Sequence, residues 1–199
     1  LEYPFGKFGD DGGKEEFGLS SEKVGMGSEG PRARPVVSSE HLAAGGSPAL
    51  SEIEYGMIVA GHAFSRWMSR GMAAAGVPGM QPTEVMILHT VRHRDRPKRF
   101  ADICLVLGME DMHVVTYAVR KLEKAGLVQV GRQGKEKLVS ATKKGVEVCA
   151  RYAELREQLL VSGTASAGYA EKSLSDMAAV LRALSGYYDQ AARAAAALA

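Results

Sequence analysis

Apolar residues recur along this 199-residue chain in blocks of helical period, broken once by a short stretch of period two. From Ser51 to Ala75, Ile53, Met57, Ile58, Phe64, Trp67, Met68 and Met72 return to one side of a helix. Ser51 and Glu54 form a capping box at its start. A Gly/Pro turn over 76–81 follows. Pro82 then suits the first turn of a helix with Val85, Met86, Leu88 and Val91 on its core face. Two shorter helices come next. The first, Phe100 to Leu107, carries Ala101, Ile103, Cys104 and Leu107, with Gly108 where a C-terminal cap is wanted. The second starts near Glu110 or Asp111 and ends at Lys124. Val115, Ala118, Val119 and Leu122 form its inward stripe, and its acidic start and basic end suit the helix dipole. His113, Thr116, Tyr117, Arg120 and Lys121 are left on the outer face.

The period then changes. Leu127 to Val130 alternates like a strand, 131–137 is a basic turn with two glycines, and Leu138 to Ala141 is a second strand, which together predict a hairpin. Thr142 offers an N-cap for a helix from Lys143 to about Val161, carrying Val146, Cys149, Ala150, Tyr152, Ala153, Leu155 and Leu159. Residues 162–168 break it. A last helix runs from about Ala170 to the end, with Leu174, Met177, Leu181, Leu184 and Tyr188 as its stripe. A short helix, a glycine turn, a polar-faced second helix and a basic hairpin make a winged helix-turn-helix plan. The fold class is therefore mainly α with a small β-hairpin wing. The domains are an irregular, flexible arm over 1–50, with ten glycines and four prolines, and a folded unit over 51–199. Within that unit, 51–75 and 146–199 are dimerisation helices around a winged helix-turn-helix over 82–145. Both sets of helices are too apolar for one small winged core, which predicts a homodimer.

The run Ala118-Val119-Arg120-Lys121-Leu122-Glu123-Lys124-Ala125-Gly126-Leu127-Val128 resembles the end of the recognition helix in MarR-type winged-helix regulators. Leu138-Val139-Ser140-Ala141-Thr142-Lys143-Lys144-Gly145 resembles that family's strand and the Leu-Thr-x-x-Gly start of its next helix. The resemblance covers roughly 51–195, with the specific motifs in 98–145. It departs at the wing, where Gly131-Arg132-Gln133 replaces the family's Asp-x-Arg. It departs again at Glu110-Asp111-Met112, where relatives carry small hydroxyl and basic residues. The resemblance implies a sequence-specific regulator of transcription that binds double-stranded DNA as a homodimer, with the recognition helix in the major groove and the wing on the flanking backbone or minor groove. His113, Thr116, Tyr117 and Arg120 would then face bases. Arg94, Arg96, Lys98, Arg99, Lys121, Arg132, Lys135 and Lys137 would face the backbone. The first long helix would pack in a dimer interface. His62 and Trp67 are candidates to line a pocket for a small-molecule effector beside it, but a packed aromatic and a satisfied histidine are the favoured reading of the two.

Charge adds to this picture through its distribution. The chain total is +2, but residues 81–145 carry 13 basic and 7 acidic side chains, net +6, while residues 1–50 are net −3 with 5 basic and 8 acidic. The run Arg92 to Arg99 directly precedes the helix-turn-helix, where phosphate contact is expected. Pro31-Arg32-Ala33-Arg34-Pro35 resembles a minor-groove hook whose central glycine has become alanine, and composition favours a plain linker there.

Other chemistry finds little support. His89 and His93 have metal-binding spacing, but the Glu of a His-Glu-x-x-His motif is absent and no third ligand is evident. No cofactor or catalytic constellation emerges, so the chain is not expected to be an enzyme. No apolar run is long enough to cross a membrane, and two cysteines form no disulfide framework, so a cytoplasmic setting is expected. Two other readings stay open: a winged-helix module for protein contact, and a ligand or redox sensor using Cys104 or Cys149.

Overall fold

The computed structural model describes residues 35–198. The chain enters through α1 (Glu40–Ala43), α2 (Pro48–Ala74) and α3 (Pro82–Arg92). A two-residue strand β1 (Lys98–Arg99) precedes α4 (Phe100–Leu107) and α5 (Met112–Lys124). The hairpin is β2 (Val128–Gln133) and β3 (Glu136–Ala141), and α6 (Lys143–Arg156) leads through a wider turn at Glu157–Val161 into α7 (Ser162–Ser166) and α8 (Glu171–Ala196). The strands form one antiparallel sheet in the order β1-β3-β2.

The core lies where α3, α4 and α5 meet under the sheet. Ile87, Leu88, Ile103, Val115, Leu122, Leu127 and Val139 are fully buried there, and Met72 joins them from the C-terminal half of α2. Each such side chain contributes about 1.5–3 kcal/mol by leaving water. The stripe Val115, Ala118, Val119 and Leu122 is buried as its period predicts. So α5 is held by its inner face and free on its outer one. Across the core, Trp67 of α2 packs on Tyr152 of α6 with ring centroids 5.8 Å apart. Gly71 permits this crossing, since a Cβ there would lie 2.9 Å from the Tyr152 ring.

Four expectations need correction. The first long helix begins at Pro48, not Ser51: Ser47 caps it by accepting from the Leu50 amide, Pro48 sits in the first turn, and Ser51 is buried inside the helix. The arm is accordingly not irregular to residue 50, since α1 forms and the Val36 amide donates to Glu52 Oε1 at 2.9 Å. Arg32 and Arg34 lie outside the described residues. The basic turn at 131–137 is mostly strand, with pairing running to Gln133↔Glu136 and only Gly134 and Lys135 left in the turn. Gly134 takes φ 61°, which glycine adopts without strain. Strand β1 was not foreseen, because two residues carry no readable alternation. Finally, the break at 162–168 starts late. Helix continues to Ser166, and the hydroxyls of Ser162, Thr164 and Ser166 take up helix-compatible bonds to carbonyls three to five residues earlier instead of breaking it. Gly168, at φ 77°, ends it.

The outer helices hold their apolar residues in the open. No residue of α8 is buried, and Met177, Val180, Leu181, Tyr187 and Tyr188 are exposed. Ile53, Ile58 and Val59 are exposed on the N-terminal half of α2, and Phe64 just past its middle. Tyr188 donates its hydroxyl to Glu54 Oε1 at 3.0 Å, linking α8 to α2. No described helix is long and apolar enough to cross a membrane.

Candidate nucleic-acid interface

The turn between α4 and α5 is set by Gly108, at φ 62°, and by Asp111, whose carboxylate accepts from the His113 amide at 2.7 Å. The acid at the start of α5 is thus a cap. On α5, His113, Tyr117, Arg120 and Lys124 lie outward and exposed, with Tyr117 69 % exposed at the centre. Thr116 is half-buried on the flank, where a groove of about 440 Å³ separates α5 from the wing. Thr116, Arg120, Glu123, Val130 and Lys137 line this groove. Glu123 also ties the two together, since its Oε1 accepts from the Val130 amide at 3.3 Å.

On the wing, Arg132 stands directly opposite Lys137 in the β2–β3 ladder. Like charges in that position repel. With Lys135 at the tip, three exposed cations gather where folding alone gains nothing from them.

The remaining basic candidates divide. Lys121 lies inward: its Nζ donates to Glu84 Oε2 at 3.0 Å and to the Gly79 carbonyl at 2.8 Å. Glu84 is buried and also accepts from the Gln81 amide at 2.6 Å. Sequence reading missed this pair because 37 residues separate its members. Lys98 is buried too, with its Nζ on the carbonyls of His93 at 2.6 Å and Arg96 at 2.8 Å. Burial, then the nearby Arg96 and Arg94, hold its pKa below the usual lysine value. Arg99 is exposed but bridges Asp102 at 2.8 Å and Glu136 of the wing at 3.6 Å. That hydrogen-bonded pair keeps the Asp102 carboxyl below its ordinary pKa. Arg94 and Arg96 open on a different cavity, between α3 and α4, whose lining includes no residue of α5.

A separate apolar chamber of about 470 Å³ lies between α2, α3 and α6, lined by Phe64, Trp67, Met86, His89, Tyr152 and Leu160 among others. Trp67 lines it; His62 does not. His89 packs on Tyr152 at 4.8 Å between centroids, and burial lowers its pKa. Its Nε2 is buried without a hydrogen-bond partner among the described residues. His93 ends up in the turn after α3, and among the described residues no group of His, Cys, Asp or Glu is gathered to hold a metal ion. Burial pushes the Cys149 thiol up to about 11. Cys149 is buried in the core, where it packs as a small hydrophobe. Cys104 is half-buried in α4.

Residues 80–145 match the family model of a winged helix DNA-binding domain. No curated protein matches this chain in sequence. Among solved structures, a MarR family regulator from Neisseria meningitidis aligns with a TM-score of 0.55 at 16% identity, over 71% of this chain and 94% of that one. CouR from Rhodococcus jostii RHA1, bound to p-coumaroyl-CoA, aligns with a TM-score of 0.54 at 18% identity, over 69% and 95%. The groove, the wing and the free outer face of α5 accordingly lie within residues 80–145, the part similar to winged helix DNA-binding domains, and the chain shares its fold with solved MarR-family transcription regulators.

Proposed function

We propose that this protein regulates transcription by binding duplex DNA as a homodimer, with the outer face of α5 in the major groove and the wing on the flanking backbone or minor groove. One observation carries the reading. Thr116 and Arg120 of α5 and Lys137 of the wing line the same groove, Arg132 stands opposite Lys137 with Lys135 at the wing tip, and among the described residues these four cations make no ion pair. His113, Thr116, Tyr117 and Arg120 are the base-facing set, and Arg132, Lys135 and Lys137 the backbone set. Asp111 caps α5, and Glu110 beside it is exposed. Dimerisation is supported by the apolar side chains left open on α2 and α8, which a second copy would cover. A two-fold protein then meets a two-fold site.

The test is titration of duplex DNA across a salt series, with light scattering for stoichiometry. Two chains per duplex are expected, with a slope of log affinity on log salt that rises by about 0.9 per neutralised phosphate. Arg132→Ala should lower that slope and weaken all sequences alike. Thr116→Ala and Tyr117→Ala should change which sequence a random pool yields, at about 1–3 kcal/mol per lost base contact. Salt-independent binding, or a monomer on DNA, would overturn the proposal.

The chamber between α2, α3 and α6 supports a small-molecule effector with a mostly apolar part, and one structural neighbour, CouR, is bound to p-coumaroyl-CoA. Trp67 is the chain's one tryptophan. Binding of an aromatic acyl compound should therefore change its emission and release DNA. Emission that stays constant while DNA is released would place the effector elsewhere.

A further inference from the structure

The cavity between α3 and α4 is a second, cationic site outside the groove. It holds about 930 Å³ and is lined by His93, Arg94, Arg96 and Arg99, with Pro97 and Val106 as apolar wall. Its charge is out of balance for reasons visible in the pairing. Asp95 is taken by Arg92. Asp102 is taken by Arg99. The Lys98 ammonium is turned inward onto two carbonyls. Arg94 and Arg96 are left without a hydrogen bond or ion pair among the described residues, and both are close enough to disfavour the charge on Lys98. Arg94 and Arg96 repel each other and Lys98 around one cavity, and an anion would relieve all three at once.

The same residues are poorly placed for the DNA groove. Strand β1 runs antiparallel to β3, so Arg99, opposite Leu138, is its end nearer the wing tip. Arg94 and Arg96 continue the other way, beyond Lys98 opposite Val139. At about 3.3 Å per residue, they lie several residue steps from the Gly134–Lys135 turn. The apolar side of the cavity matters as well. Val106 is 69 % exposed on α4, beside a proline, and would be covered by a ligand with an apolar body. His89 lines both this cavity and the apolar chamber, so the two share a wall.

We propose that the cavity between α3 and α4 binds a small organic anion, a carboxylate or phosphate on an apolar body, with Arg94 and Arg96 holding the anionic group and Pro97 and Val106 the body. Planar guanidinium groups suit this task because each can give two parallel hydrogen bonds to a carboxylate or phosphate. The site requires no DNA, so it is tested on the protein alone.

The probes are 2-naphthoate, naphthyl phosphate, neutral 2-naphthamide and inorganic phosphate, titrated calorimetrically into the full chain. One or both naphthyl anions should bind, with the amide and inorganic phosphate at least tenfold weaker. Arg96→Gln, at a position of ordinary extended backbone, should weaken the naphthyl anion at least tenfold, and Arg94→Gln with Arg96→Gln should abolish it. Trp67→Phe should leave it unchanged, because Trp67 lines only the other chamber. In a parallel DNA titration, the double arginine variant should keep the wild-type salt slope. Binding of the amide as strongly as the anions would overturn the proposal, as would anion binding indifferent to Arg96. A double variant whose DNA salt slope falls by about two contacts, with naphthoate affinity intact, would assign these arginines to the DNA backbone instead.

Discussion

Gly145→Ala should unfold the winged domain at a much lower denaturant concentration than wild type, with a loss of about 3–5 kcal/mol. The reason is where α6 begins. Thr142 caps it, its hydroxyl accepting from the Gly145 amide at 3.1 Å and donating to the Gly126 carbonyl at 2.7 Å. The Thr142 amide donates to the Leu127 carbonyl at 3.0 Å, and Lys144 reaches the Ala125 carbonyl at 2.8 Å. These contacts press the first turn of α6 onto the chain that leaves α5. A Cβ at residue 145 would fall inside the Leu127 carbonyl oxygen and 3.0 Å from its carbon. That obstacle is backbone, so no rotamer change relieves it. Either α6 lifts, breaking its cap, or Leu127 shifts out of the core, where it is fully buried. Urea unfolding followed by circular dichroism measures the loss, with Gly131→Ala as control, since a Cβ there meets nothing within 4 Å. If the two variants unfold alike, the junction is softer than its geometry implies.

This junction also shows what a sequence can disclose. The Thr-x-x-Gly spacing was readable as a helix start. That its glycine admits a carbonyl from the end of the previous helix was not, because the two strands of the hairpin intervene. Local devices were legible throughout: the helix at Phe100–Leu107 with its Gly108 cap, the inward stripe of α5, and the hairpin. Each is specified within a few residues by period or by a cap. The fates of individual cations were not. Arg92 to Arg99 read as a uniform basic run, yet Lys98 is buried on two carbonyls, Arg99 is shared between two carboxylates, and Arg94 and Arg96 face a cavity of their own. A strand of two residues, formed only by pairing with β3 some forty positions later, decides that outcome. The outer helices lie between these cases. Their stripes were plain in the sequence, but only the folded chain reveals which half of α2 the winged core covers.

Lys121→Met should lower stability by about 2–3 kcal/mol while leaving the salt dependence of DNA binding as it was. By helical position Lys121 belongs to the polar side of α5, where a phosphate contact is a natural expectation. Its ammonium instead meets Glu84, whose side chain is only 5% exposed, and the Gly79 carbonyl. Methionine keeps the stem packed but leaves the Glu84 carboxylate with the Gln81 amide alone. Removing one member of a buried ion pair costs about 3–5 kcal/mol. The Lys121 side chain is 32% exposed, so water already offsets part of its charge, and the effect falls below that range. For a chain of this size, about 2–4 °C of melting temperature accompanies each kcal/mol. A fall of roughly 5–10 °C follows from the two figures. Glu84→Gln added to Lys121→Met should recover part of it, because the glutamine oxygen still accepts from Gln81 while the unpaired charge is gone. A phosphate contact behaves in the opposite way. Its loss would leave the melting temperature nearly fixed and lower the salt slope by about 0.9. Thermal melts and DNA titrations on the same two variants therefore separate a lysine that positions α5 from one that touches DNA. A reduced slope at unchanged stability would return Lys121 to the DNA surface.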